Sequence, residues 1–296
     1  MTVLVFLDPS TPAGRLADAS VAQLLVTDQG VIRGDGVFES MLYTAGAVRK
    51  LDAHLSRLRV SAASCDLDLP DEQSWRAAIA TAVTRYEQER TPGPEDPDEA
   101  VVKLVVTRGP EDEPHGTAWV TVSPAPESGR RQREEGVAVV LLDRGYDSSL
   151  AERAPWLLMG AKTLSYAVNM AALRHARTLG AEDVIFTSSD ARVLEGPTST
   201  VLLATRVNGV KHLVTPLLET GILPGTTQGA IFAAAETAGW TLGYGPLEPR
   251  DLFEADALWL VSSIRLLAPV TSIDGTAIAR DRELHDELSA LLEAIG

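Results

Sequence analysis

The spacing of apolar residues changes along the chain between a period typical of strands and a period typical of helices. Short alternating or clustered apolar runs predict strands, and these runs are 2–7, 21–26, 37–43, 101–107, 117–122, 137–142, 183–187, 200–204, 211–214 and 257–262. Apolar residues three and four positions apart predict helices, and these segments are 51–62, 71–89, 165–179, 227–238 and 281–295. The two kinds of element do not alternate regularly, which favours an α+β fold over a doubly wound parallel sheet.

Two polar segments interrupt this pattern. Residues 91–98 are rich in proline and cannot form a helix or a central strand, so they predict a surface loop. Residues 123–133 are polar and turn-rich, which is typical of the edge of an interdomain linker. The sequence therefore predicts an N-terminal α+β domain over 1–125, a linker over 126–135, and a C-terminal α+β domain over 136–296 that carries Lys162.

Composition and charge narrow the class of protein. The chain has 296 residues, of which 41 are acidic and 26 basic, for a net charge of −15. Such a field repels nucleic-acid phosphates and anionic membranes, so we expect a small-molecule partner, no nucleic acid and no membrane. No apolar run reaches the ~18 residues that span a bilayer, and residues 1–7 do not resemble a secretory signal. The single cysteine, Cys65, excludes an internal disulfide and suits a reducing compartment, so we expect a cytoplasmic protein.

Lys162 stands out among the four lysines. It follows the apolar run Trp156–Ala161 and precedes a predicted helix. An amine in apolar surroundings is desolvated, which lowers its pKa and frees it as a nucleophile. Composition alone also allows an ordinary surface lysine here, and it leaves Lys103 either at a strand edge or in a pocket.

Three further positions could bind a charged cofactor. Glu195 could hold a protonated pyridine nitrogen, or it could be a glutamate in a hairpin turn. The segment Leu223-Pro-Gly-Thr-Thr227 enters a helix, where N–H groups, hydroxyls and a glycine suit a phosphate, although the same pattern is common in helix capping. Arg57 could reach a phosphate or face solvent. The histidines are scattered without the spacing of metal ligands, so we predict no metal site.

Six segments occur in an order that resembles the class IV aminotransferases, the fold-type IV pyridoxal-phosphate enzymes. This family includes branched-chain aminotransferases, D-amino acid aminotransferases and aminodeoxychorismate lyases. The segments are Gly34-Asp-Gly-Val-Phe-Glu39, His54-Leu-Ser-Arg-Leu58, Lys162 before a helix, Leu194-Glu-Gly196, Leu223-Pro-Gly-Thr-Thr227, and Ser262-Ser263 before Pro269-Val270. The resemblance extends over nearly the whole chain, from about residue 27 to residue 275.

The resemblance implies a D-amino acid aminotransferase-like fold. It implies two α+β domains, pyridoxal 5'-phosphate between them, and a homodimer. Lys162 matches the lysine that holds the cofactor as a Schiff base, and Glu195 matches the partner of the pyridine nitrogen. Tyr166 stands near the position of a tyrosine that flanks the ring. The residues that match the phosphate site are Arg57, Gly225, Thr226, Thr227 and Ser263.

The motifs match no subgroup of the family completely. Branched-chain enzymes usually read Phe-Glu-Gly where this chain has Phe38-Glu-Ser40, and D-amino acid enzymes usually carry an arginine that is absent from Glu113-Pro-His115. The segments that begin at Lys162, Leu194 and Ser262 look like those of actinobacterial aminodeoxychorismate lyases. The resemblance therefore favours a 4-amino-4-deoxychorismate lyase that releases pyruvate and 4-aminobenzoate for folate synthesis.

Two alternatives remain at this stage. The chain could be an aminotransferase for D-amino or branched-chain amino acids with a 2-oxo acid acceptor, alone or together with the lyase activity. It could also be a relative without catalysis, which the presence of both Lys162 and Glu195 disfavours.

The expected lyase substrate carries two carboxylates. We expect Arg265 and Arg108 to bind them, because the guanidinium fork suits a carboxylate. Arg108 flanks the end of a predicted strand and could instead face water. Ser40 is a third candidate for substrate binding.

Overall fold

The computed structural model describes residues 1–8, 10–90, 98–113 and 115–295. Of the surface loop predicted at 91–98, residues 91–97 lie outside the described residues. Backbone contacts divide the chain into two compact units. The first unit comprises Met1–Pro126 with Ala161–Tyr166, and the second comprises Glu127–Gly160 with Ala167–Gly296.

The first unit contains an antiparallel sheet and two long helices. Its strands are β1 (Val3–Asp8), β2 (Thr11–Ala17), β3 (Gly36–Thr44), β4 (Ala47–Val48), β5 (Ala100–Thr107) and β6 (Thr117–Pro124). Its helices are α1 (Gln29–Arg33), α2 (Leu51–Ser64) and α3 (Glu72–Glu89). The described strands pair in the order β2-β1-β6-β5-β3-β4. Strands β3 and β5 pair without a register shift, from Gly36 opposite Thr107 to Tyr43 opposite Ala100.

Helices α2 and α3 cover one face of this sheet. Leu58 and Trp75 are buried in one apolar cluster with Val37 and Met41 of β3. Because successive strand residues point to opposite faces, the odd-numbered residues from 37 to 43 face these helices. Phe38, Ser40 and Leu42 therefore lie on the other face of the sheet.

The second unit contains a mixed sheet. Its strands are β7 (Val137–Asp143), β8 (Asp183–Thr187), β9 (Thr200–Val207), β10 (Val210–Thr215), β11 (Thr241–Tyr244), β12 (Ala257–Ser262), β13 (Leu266–Ile273) and β14 (Thr276–Ala277). Its helices are α4 (Glu127–Glu135), α5 (Leu150–Arg153), α6 (Ala167–Thr178), α7 (Thr226–Thr237), α8 (Pro249–Glu254) and α9 (Arg282–Ala294). Short 3₁₀ turns occupy Pro155–Leu157 and Leu218–Thr220. The described strands pair in the order β11-β10-β9-β12-β13-β7-β8, with β14 beside β13.

Helices α7 and α9 bury their apolar sides in this unit. Ile231 of α7 and Leu288 of α9 are fully buried in one cluster with Leu202 and Trp259 of the sheet. Helix α9 begins at Asp281, whose carboxylate accepts a hydrogen bond from the Leu284 N–H. This packing fixes the position of α7, whose first turn carries candidate site residues.

Several elements differ from the sequence prediction. Residues 21–26 form no strand, and Val26 there is 82% exposed. The predicted linker 126–135 is largely helix α4, because its charged residues favour a helix without any apolar periodicity to reveal it. Strand β13 was not predicted, since Pro269 interrupts the strand pattern in sequence although it pairs opposite Trp259 in the sheet.

The segment around Lys162 also differs from the predicted domain assignment. Residues 161–166 belong to the first unit and not to the C-terminal one. The physical reason is a short ladder with β3, in which Phe38 N–H donates to Lys162 O at 3.0 Å and Leu164 N–H donates to Gly36 O at 2.8 Å. These hydrogen bonds connect residues more than a hundred positions apart, which no local pattern reveals.

Among the described residues, no helix is both long enough and apolar enough to cross a membrane.

Candidate active site

Backbone contacts fix the position of Lys162 beside β3. Besides the ladder with β3, the Lys162 N–H donates to Ser61 Oγ of α2 at 3.0 Å. A Cβ at position 36 would lie 2.5 Å from Val106 O and 2.7 Å from Leu164 Cδ1, so glycine is required for this close approach. The backbone of the lysine segment is therefore tied to both the sheet and a helix of the first unit.

The side chain of Lys162 lies against two aromatic rings. Its Nζ is 4.3 Å from the centroid of the Phe38 ring and donates a hydrogen bond to Tyr166 Oη at 3.2 Å. The two rings pack edge to face, with centroids 5.1 Å apart. The sequence predicted that the run Trp156–Ala161 makes the surroundings of Lys162 apolar. Trp156 is however 74% exposed, and Phe38 supplies the apolar surface instead.

Lys103 of β5 lies over the same phenyl ring. Its Nζ is 4.9 Å from the Phe38 centroid. Lys103 pairs directly opposite Ser40 in the sheet, so the two side chains share a face with Phe38. Burial lowers the pKa of Lys103 below its ordinary value. The face of β3 opposite the helices therefore gathers two lysine amino groups and a hydroxyl beside one aromatic ring.

A buried ionic cluster lies on the helix-covered face of β3. Arg57 donates to both carboxylate oxygens of Glu39, from Nε at 2.7 Å and from Nη2 at 2.8 Å, and His54 Nδ1 lies 2.6 Å from Glu39 Oε2. Burial by itself would raise the pKa of Glu39, but the hydrogen bonds from Arg57 and His54 outweigh it and lower the pKa to about 2. The predicted phosphate ligand Arg57 is thus held by a bidentate ion pair.

The start of α7 gathers most of the predicted phosphate site in the second unit. Thr226 Oγ1 lies 3.2 Å from Ser263 Oγ, and Thr227 Oγ1 donates to the same oxygen at 3.5 Å. Gly225 precedes the helix, and none of the described side chains caps it. A Cβ on Gly225 would lie 2.5 Å from Thr200 Oγ1, so only glycine fits. Converging hydroxyls at an uncapped helix start fit a phosphate group.

Glu195 is tied to the loop that leads into α7. Its Oε2 accepts a hydrogen bond from the Leu223 N–H at 3.1 Å. The carboxylate therefore belongs to the same local structure as the Gly225 turn. Burial raises the pKa of the nearby Tyr146 phenol, and the negative charge of Glu195 adds to that effect.

The two arginines predicted to bind substrate are engaged elsewhere. Arg265 is 7% exposed, and its Nη2 donates to Asp183 Oδ2 at 2.6 Å and to Thr198 Oγ1 at 3.1 Å. Arg108 donates to Asp35 Oδ2 at 2.6 Å and to the backbone carbonyl of Cys65 at 2.7 Å. Guanidinium groups held in this way connect parts of the fold. The role of Arg265 and Arg108 in binding the substrate carboxylates therefore stays a prediction.

Two residues of this site were not among the predicted ones. Phe38 was noted as part of a motif, and Lys103 was left open between an edge and a pocket. Alternation along β3 could have placed Phe38 and Ser40 on one face, but the pairing of Ser40 with Lys103 depends on strand register. Within the described residues, no cluster of His, Cys, Asp and Glu side chains could hold a metal ion.

The chain is similar to known proteins over most of its length. The family model for amino-transferase class IV matches residues 36–273. A bifunctional aminodeoxychorismate lyase / D-amino acid transaminase of Mycobacterium tuberculosis is 42% identical over 270 residues, covering 90% of this chain and 91% of the relative. A D-alanine aminotransferase of Bacillus licheniformis is 28% identical over 271 residues, covering 90% of this chain and 88% of the relative. The PLP-bound form of a hypothetical aminotransferase from Mycobacterium tuberculosis matches with a TM-score of 0.91 and 40% identity, covering 100% of this chain and 98% of that chain.

Proposed function

Because the chain belongs to the class IV amino-transferases, we propose that Lys162 holds pyridoxal 5'-phosphate covalently and that the enzyme is a 4-amino-4-deoxychorismate lyase. The setting of Lys162 carries this proposal: a primary amine fixed by its backbone beside β3, against Phe38 and within hydrogen-bond distance of Tyr166. The bifunctional relative from Mycobacterium tuberculosis supports the lyase reaction. The reaction converts the substrate into 4-aminobenzoate and pyruvate.

The predicted cofactor-binding residues suit different parts of the cofactor. When bound, pyridoxal 5'-phosphate supplies an electron sink for negative charge at the carbon that bears the substrate nitrogen. Thr226, Thr227 and Ser263 would bind the phosphate at the start of α7, where the N–H groups add the positive end of the helix dipole. Glu195 would accept a hydrogen bond from the protonated ring nitrogen and keep that nitrogen charged. The family resemblance adds Arg57, which Glu39 holds through two hydrogen bonds, as a further phosphate ligand.

Lys162 would also move the protons of the reaction. Its Nζ would take the proton from the carbon that bears the amine, and such general-base catalysis contributes about 10²–10⁴-fold to rate. The carbon–oxygen bond to the pyruvyl group breaks as the ring becomes aromatic, and the departing enolpyruvate takes a proton at its methylene carbon. Tyr166 Oη, which already accepts a hydrogen bond from Nζ, would hold the amine in position between these steps.

A D-amino acid transaminase activity is the second candidate. In this reaction too, Nζ would first take the proton from the carbon that bears the amine. The two reactions differ in the carbon that is protonated next. The names of the Mycobacterium tuberculosis and Bacillus licheniformis relatives support it. We also expect a homodimer, which sedimentation of the purified protein would test.

One comparison of products tests the lyase. Purified enzyme, loaded with pyridoxal 5'-phosphate, is mixed with aminodeoxychorismate, and 4-aminobenzoate and pyruvate are measured together. A second sample receives D-alanine and 2-oxoglutarate, and D-glutamate is measured. We expect equal amounts of 4-aminobenzoate and pyruvate. Transamination without any 4-aminobenzoate would replace the lyase by the second candidate, and the absence of both products would refute both.

A further inference from the structure

Lys103 differs from the other cations described in this part of the first unit. Arg57 is paired with Glu39, and Arg108 is paired with Asp35. Lys103 has no carboxylate within ion-pair distance in the described part of the chain, and its contact there is with the face of the Phe38 ring. None of the acidic residues that the structure describes forms an ion pair with this half-buried ammonium, although the chain carries 41 acidic residues.

An unpaired, half-buried ammonium is costly to the folded protein. Partial burial removes water from the charged group, and a phenyl face returns only part of that loss. The lowered pKa of Lys103 has burial as its cause, in agreement with an ammonium that none of the described carboxylates stabilises. An anion that entered this place would restore the lost stabilisation.

The position of Lys103 relative to Lys162 indicates which anion this is. Both Nζ atoms lie over the Phe38 ring, at 4.9 Å and 4.3 Å from its centroid, so their separation cannot exceed the sum of these two distances. The Ser40 hydroxyl lies on the same face, directly across from Lys103 in the sheet. A molecule whose nitrogen reacts at Lys162 therefore meets a positive charge and a hydroxyl donor within its own length.

We propose that Lys103 binds a carboxylate of the substrate, assisted by Ser40, and thereby selects amines that carry a carboxylate over amines that lack one. This assignment rests on the proposed reaction at Lys162. In this proposal Lys103 binds a substrate carboxylate, the role that the sequence predicted for Arg265 and Arg108. An ammonium and a hydroxyl are together sufficient to bind one carboxylate through charge-assisted hydrogen bonds.

The test uses two lysine variants and a matched control in the loaded enzyme. Lys103→Met removes the charge and keeps the length of the side chain, and Lys103→Arg keeps the charge. Lys50→Met removes another half-buried lysine of the first unit, one whose pKa burial also lowers. Thermal unfolding of all variants shows whether the fold is intact.

The substrates are D-alanine and isopropylamine. Isopropylamine has a methyl group where D-alanine has its carboxylate. The single-turnover reaction of each amine is followed by the change in cofactor absorbance. We expect Lys103→Met to lower the second-order rate constant of this half-reaction for D-alanine about 10- to 100-fold, mainly through weaker binding of D-alanine, because a hydrogen bond to a charged group is lost. The reaction with isopropylamine should not change, Lys103→Arg should retain most of the D-alanine rate, and Lys50→Met should match the parent enzyme.

A second readout does not depend on turnover. Calorimetric titration with succinate, a dicarboxylate without an amine, should show binding to the parent enzyme and binding at least about 10-fold weaker to Lys103→Met. If the parent enzyme turned over neither aminodeoxychorismate nor D-alanine, the proposed function would fail, and succinate binding would still decide the role of Lys103. Equal succinate affinity in the parent and Lys103→Met, no succinate binding to the parent, or equal slowing of D-alanine and isopropylamine would each overturn the assignment.

Discussion

Each of the two units gathers its own candidate site residues, and the two do so by different physical means. In the first unit, charged and aromatic side chains lie on the face of a continuous strand, where Phe38, Lys103 and Lys162 meet. In the second unit, neutral hydroxyls and a glycine lie at the start of α7, where backbone geometry decides what fits. The first unit thus depends on the charge of individual side chains, whereas the second depends on the space around its backbone.

The buried ion pairs of the two units extend this contrast. In the first unit one carboxylate is the central group, because Glu39, which lies on the same strand as Phe38, contacts both Arg57 and His54. In the second unit the buried cation is the central group, because Arg265 contacts both Asp183 and Thr198. Among the described residues, Arg265 Nη1 is buried without a hydrogen-bond partner. We therefore expect substitutions in the first unit to act through lost charge, and the substitution at the start of α7 in the second unit to act through lost space.

The largest expected effect comes from removing the amine of the first unit. Lys162→Met should abolish covalent attachment of pyridoxal 5'-phosphate and lower the rate by at least about 10²–10⁴-fold, because both the cofactor anchor and the general base are lost. Borohydride reduction followed by peptide mass mapping should locate the reduced adduct on residue 162 in the parent enzyme and find none in the variant. Lys50→Met is the control and should remain yellow and active. An adduct on any other lysine would remove Lys162 from the role proposed for it.

A second large effect concerns the stability of the first unit. Glu39→Gln leaves Arg57 and His54 buried without their carboxylate, which costs about 3–5 kcal/mol for buried ion pairs. Urea denaturation at pH 7 measures this loss. Glu72→Gln is the matched control, because Glu72 pairs with Arg76 at the surface, and exposed pairs contribute about 0–1 kcal/mol.

The same variant predicts a pH dependence. The folded pKa of Glu39 is about 2, below its ordinary value of 4.5. A carboxylate with a depressed folded pKa stabilises the fold above the unfolded pKa, and this contribution is lost as the pH falls from about 4.5 towards about 2. The parent protein should lose stability steeply across that window, and Glu39→Gln should lose less. Parallel curves for the two proteins would mean that Glu39 does not control acid unfolding.

The smallest of the expected effects tests the spatial requirement in the second unit. Gly225→Ala places a Cβ 2.5 Å from Thr200 Oγ1, and overpacking of this kind costs about 1–3 kcal/mol. The backbone at Gly225 has φ −70° and ψ 121°, which alanine adopts without strain, so the effect isolates the contact. Titration with pyridoxal 5'-phosphate should show binding about 10-fold weaker. The double variant Gly225→Ala/Thr200→Ala should recover much of the lost affinity for the cofactor. If it recovers none, the contact with Thr200 is not the cause.

The sequence by itself determined the parts of this protein that depend on local pattern. Strand and helix periods predicted the α+β fold class, which is confirmed, and the order of six motifs predicted the family, which is confirmed as well. The same motifs contain Lys162, Glu195 and the residues at the start of α7. These residues could be found because each lies in a short segment whose own composition suggests its chemistry.

Only the tertiary structure decided which charged groups are already paired and which remain available. Arg265 and Asp183 are 82 positions apart, Arg108 and Asp35 are 73 apart, and neither pairing leaves a signature in local sequence. The meeting of Lys103, Phe38 and Lys162 depends likewise on the register between β3 and β5 and on the ladder that ties residues 161–166 to the first unit. A one-residue slip between paired strands would turn Lys103 to the opposite face of the sheet, so the pairing of distant strands, rather than any motif, creates this positive site.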